Sequence, residues 1–80
     1  MLAMLRRWRH RREVLADAAY WGAVGRHHAD LASYHARMAI EARDEGRPSP
    51  ASESAYRRHR DAYVEATDRQ AALLTSLDEP

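Results

Sequence analysis

The chain has 80 residues, of which 13 are basic and 12 acidic, and it contains no cysteine. A chain of this length forms one domain at most and buries only roughly 60% of its unfolded surface, so its core must be thin. Without cysteine it has no disulfide framework, no thiolate metal site and no thiol nucleophile, and it lacks the run of roughly 18 apolar residues that a membrane span needs. The arginine pairs Arg6-Arg7 and Arg11-Arg12 are not followed by an apolar export segment, and the expected location is cytoplasmic.

All 13 basic residues are arginine, alanine occurs 16 times, and Lys, Asn and Phe are missing altogether. The missing types share A/T-rich codons, which points to a GC-rich bacterial or phage source. The net charge of +1 hides an uneven distribution. Residues 1–12 carry five arginines and no acid, whereas the remainder sets eight arginines against 12 acids. A basic arm (+5) thus precedes an acidic body (−4), the pattern of a chain with an anionic partner.

The arm, residues 1–12, interleaves Leu5 and Trp8 with Arg6, Arg7, Arg9, Arg11 and Arg12. Six of the chain's 20 large apolar or aromatic side chains fall within its first 14 residues. At about 100° per residue, the stripe of Met1, Met4, Leu5, Trp8 and Leu15 points away from the seam expected further along the same helix. Either the chain bends near residues 10–13, or the arm meets something other than the second helix.

Residues 13–44 are expected to form the first, long helix. Trp21, Val24, His28, Leu31, His35, Met38 and Ala42 recur at alternating spacings of three and four and form a candidate inward seam. Beside it runs a stripe of small residues, Ala18, Gly22, Gly25, Ala29, Ala32, Ala36 and Ala39, expected to remain uncovered as a close-approach groove for a partner helix. Gly22 and Gly25 each cost about 1 kcal/mol relative to alanine inside a helix, which argues for a packing reason.

The turn is placed at residues 45–50, EGRPSP, with Gly46 in the left-handed position after a helix and Ser49 capping a helix that starts with Pro50. The second helix is expected over residues 51–77, with Tyr56, His59, Tyr63, Ala66, Gln70, Leu73 and Leu77 inward. A short connection makes the two helices antiparallel, bringing His59 across from His35 and Trp21 near Gln70. Arg26 with Asp30, Arg37 with Glu41, Arg57 with Asp61 and Glu65 with Arg69 have the i,i+4 spacing of solvated ion pairs.

For chemistry the sequence offers little. His28, His35 and His59 form a weak metal alternative, because their spacing is not that of two ligands on one helix turn and no HExxH is present. We therefore expect no metal and no cofactor. No nucleophile elbow and no glycine-rich phosphate loop occur, so an enzyme is not expected. The reading that emerges is an all-α antiparallel two-helix hairpin with a basic N-terminal extension on its long first helix, completed by dimerisation or by a partner. Its expected role is a non-enzymatic protein–protein interaction module: an adaptor, an inhibitor or an assembly subunit. The alternative is a small nucleic-acid-binding protein that uses the arginine arm on phosphates. Contact with a membrane surface ranks behind both.

Overall fold

The computed structural model describes residues 1–79, which form two helices and, among the described residues, no strand. The first helix, α1, runs unbroken from Leu2 to Asp44, and the second, α2, from Pro50 to Ser76. The hairpin is a rod of 67 × 16 × 13 Å. At about 1.5 Å per residue α1 is about 64 Å long and α2 about 40 Å. The long helix therefore projects beyond the short one at the end away from the turn.

Local chemistry sets the turn. Gly46 has φ +74°, its N–H donates to the Arg43 carbonyl at 3.0 Å, and the Arg47 N–H donates to the Ala42 carbonyl at 2.8 Å. This bond pair is the Schellman closure, and glycine adopts its left-handed position without a Cβ clash. Ser49 then starts α2, as expected. Its backbone is extended, its Oγ accepts the Ser52 N–H at 3.2 Å, and Pro50 follows with a ring already set for the first helical position. Arg43 and Glu53 form an ion pair across the turn and so tie the ends of the two helices together.

The interior is built from small residues. Val14, Ala18, Gly25, Ala32 and Ala39 are the buried residues of α1, and Ala55 and Ala66 those of α2. Ala18, Gly25, Ala32 and Ala39 are spaced seven apart, the repeat that keeps one line of a helix against its neighbour. Trp21, His28 and His35 alternate with them and are half-buried.

This overturns one expectation. The small-residue stripe is not an open groove for another chain: α2 lies on it. A Cβ placed on Gly25 would sit 3.7 Å from Ala66 Cβ and 3.8 Å from Tyr63 Cδ2, and one on Gly22 would meet the end of the Gln70 side chain. The inward line runs between the two expected stripes, leaving Met38 exposed and Val24 and Leu31 only half-buried. The physical reason is that two helices alone cannot enclose large side chains. They gain more contact by bringing their backbones together over Ala and Gly, with the bulky residues flanking the line of closest approach.

Candidate interaction surface

Residues 2–12 contain neither glycine nor proline and continue α1 as helix, so the chain does not break at residues 10–13. The arm's faces follow from about 100° per residue: Met1, Met4, Leu5 and Trp8 fall within an arc of about 100° that also takes in Arg12, with Arg7, Arg9 and Arg11 on its flanks and Arg6 and His10 opposite. All of these residues are exposed, Leu5 at 58% and Trp8 at 60%. Leu15, two turns beyond Trp8 and 43% exposed, extends the same apolar face. The apolar side chains together line a shallow recess formed by Met1, Met4, Leu5 and Trp8.

The arginines are not equivalent. The Arg12 guanidinium stands 5.4 Å from the Trp8 ring centroid, within cation–π range, and holds the indole at the edge of the apolar face. Arg7, His10 and Arg11 line a second recess with Ser76, Leu77 and Glu79, where the end of α2 meets α1. Arg6 and Arg9 belong to neither recess. Among the described residues the ion pairs are Arg43–Glu53, Arg60–Asp61 and Glu65–Arg69, none of which involves an arm arginine. Of the four expected i,i+4 pairs only Glu65–Arg69 is formed, at 2.9 Å, and Asp61 lies nearest Arg60 instead of Arg57.

Electrostatics leave the arm's helical turns poorly supported. The N-terminus of α1 has no side-chain cap and no acid in its first turn. The arginines begin at Arg6, past the first turn where the helix dipole acts, but Arg7 and Arg11 repel each other at i,i+4 spacing, at a cost of a few tenths of a kcal/mol. A negatively charged surface beside the arm would remove that penalty while covering the apolar arc.

The second cluster is the histidine layer in mid-hairpin. His28 Nδ1 and His59 Nδ1 lie 2.9 Å apart, so one ring donates its N–H and the other accepts. His35 stacks on His59 with centroids 5.6 Å apart and planes 3° from parallel, which places His59 across from His35 as expected. Parallel rings do not aim their nitrogens at a common point, and no group of three potential ligands among the described residues could hold a metal ion. The weak metal alternative at His28, His35 and His59 has no geometric support. The layer instead makes His59 harder to protonate: partial burial, followed by the nearby His28 and His35 and then Arg58 and His27, lowers its pKa below the usual 6.5.

Sequence reasoning missed two contacts. Arg69, one residue before the expected Gln70, lies over Trp21 at 4.6 Å from the ring centroid. The Arg43–Glu53 link joins residues ten apart across the turn, a separation to which i,i+4 spacing gives no clue. No helix among the described residues is long and apolar enough to cross a membrane. Comparison with protein-family models, with curated proteins and with solved structures finds no significant match for this chain.

Proposed function

We propose that this protein is a small, non-enzymatic helical interaction module of bacterial or phage origin, acting in the cytoplasm as an adaptor, inhibitor or assembly subunit. The hairpin from residue 13 to residue 79 serves as the stem, and the arm, residues 1–12, is the surface that binds. One observation carries this reading: Leu5 and Trp8 stand more than half exposed on a helix face flanked by arginine, outside the recess where the end of α2 meets α1. An exposed Trp with apolar neighbours and an arginine rim has the composition of an interface hot spot.

The partner chemistry that fits is an acidic protein face with an apolar centre. The test is affinity capture from the native host with the full chain and with Trp8→Ala, each with and without nuclease. A protein retained after nuclease, and lost or weakened about 30-fold by Trp8→Ala, supports the reading; a loss of about 2 kcal/mol is usual for a buried aromatic anchor. A second reading, nucleic-acid binding, is favoured by the five arm arginines with no acid among them. It predicts loss of the captured species on nuclease treatment and a fall of log affinity with log salt at roughly −0.9 per phosphate neutralised on duplex DNA.

A further inference from the structure

We propose that the acidic partner is a second copy of this chain: the arm of each protomer lies on the other protomer's α2, in a closed antiparallel dimer. This rests on the reading of the arm as the binding surface and names its occupant.

The complementary surface is on α2. Asp61, Val64, Glu65, Asp68, Arg69 and Ala72 line a shallow groove, with Arg69 at the edge nearest α1, where it lies over Trp21. Val64, 49% exposed, is its apolar centre, and three carboxylates stand around it within two turns. Two of them already have arginine neighbours: Asp61 is 3.4 Å from Arg60, and Glu65 is 2.9 Å from Arg69. These are exposed pairs worth about 0–1 kcal/mol, so the acids can exchange partners at little cost. Asp68 takes part in no ion pair among the described residues.

Charge, size and symmetry agree. An arm of +5 and a body of −4 attract each other; within one chain Arg7, His10 and Arg11 meet the end of α2 at Ser76, Leu77 and Glu79, while Leu5 and Trp8 are outside that recess and free for another chain. The arm and the segment 61–72 are each 12 residues long, about 18 Å of helix. A two-fold axis perpendicular to the rod, near the base of the arm, carries each arm back along the other protomer's α2 with the turns at opposite ends. Both contacts then form together and the assembly closes, so no filament results. The partner's arm then runs parallel to α2, so that with Leu5 over Val64 the Trp8 ring lies about one turn further along and Arg9 and Arg12 reach the acid at Asp68. A specific dimer needs roughly 1,200 Å² of buried surface in total, or about 300 Å² from each of the four contributing patches. Covering a Trp alone supplies roughly 150–250 Å².

The experiment is sedimentation of the full chain from about 5 to 200 µM, together with two charge-reversal variants, Arg9→Glu/Arg12→Glu and Asp68→Arg. All three positions are exposed, and circular dichroism confirms that each variant is folded. The wild type is expected to dimerise, more weakly at 500 mM than at 50 mM salt, and each variant alone to dimerise at least about tenfold more weakly. In an equimolar mixture, the reversed arm of one variant meets the reversed groove of the other, and both wild-type-like contacts are restored. The mixture should therefore form a heterodimer. A wild type that stays monomeric throughout, a dimer indifferent to the arm substitutions, or a mixture that fails to associate overturns the proposal. If the wild type is monomeric while Trp8→Ala still abolishes capture of another protein, the self-partner is wrong and the interaction reading stands.

Discussion

Gly25 offers a quantitative test of the close helix approach. Replacing it with alanine removes the glycine penalty in a helix, about 1 kcal/mol. The added methyl would lie 3.7 Å from Ala66 Cβ, 3.8 Å from Thr67 Oγ1 and 3.8 Å from Tyr63 Cδ2, all ordinary van der Waals separations. Gly25→Ala should therefore stabilise the hairpin by about 1 kcal/mol, raising Tm by about 4–8 °C for a domain of this size. Leucine has nearly the same helix propensity as alanine, but its three further carbons would be directed at Ala66, which is only 1% exposed. Overfilling such a contact costs about 1–3 kcal/mol, so Gly25→Leu should fall below Gly25→Ala by that amount. Urea unfolding followed by far-UV circular dichroism, at one fixed protein concentration, measures both variants. A leucine variant as stable as the alanine variant would refute the close packing of α1 on α2 at this position.

Three further outcomes follow from named contacts. Because folding lowers the pKa of His59, the unfolded chain binds more protons below about pH 6.5, and stability should fall as pH drops from 7.5 through that window. His59→Gln should flatten this dependence in melts taken from pH 5 to 8; an unchanged slope would mean that other groups carry it. Ser49→Ala removes the side-chain acceptor of the Ser52 N–H and should cost about 1 kcal/mol, read as a Tm lower by about 4–8 °C, with no loss indicating that the cap is dispensable. Glu53→Gln breaks the ion pair with Arg43, whose side chain is 66% exposed, and should change stability by less than about 1 kcal/mol. A larger loss would show that the link across the turn does more than an exposed pair can.

The two helices and the turn were legible in the sequence because they depend on local chemistry. Gly46, Ser49 and Pro50 act through their own backbone preferences, and the structure places them where those preferences predict. The inward face was less legible. Periodicity marks two parallel stripes on α1, one large and one small, and favours the large one because apolar area usually decides burial. With a single neighbouring helix, the backbone separation allowed by Ala18, Gly25, Ala32 and Ala39 decides instead, and that is a property of the pair of helices. The histidine layer was readable in part: antiparallel register gives the His35–His59 stack, whereas the His28–His59 hydrogen bond depends on helix rotation, which spacing does not fix. The arm's exposure could be foreseen from its phase; that the end of α2 would meet Arg7, His10 and Arg11 and leave Leu5 and Trp8 uncovered depends on the lengths and rotation of both helices.

The measurement closest to the central claim is a comparison of the full chain with a chain truncated to residues 13–80, in melting and in binding. Residues 1–12 are all exposed, so their removal should leave the buried line from Val14 to Ala39 intact and keep Tm within a few degrees of the full chain. The truncated chain should fail both to dimerise in sedimentation and to retain any nuclease-resistant partner. A truncated chain that melts like the full one and binds as tightly would contradict the account, and would move the functional surface from the arm to the body of the hairpin.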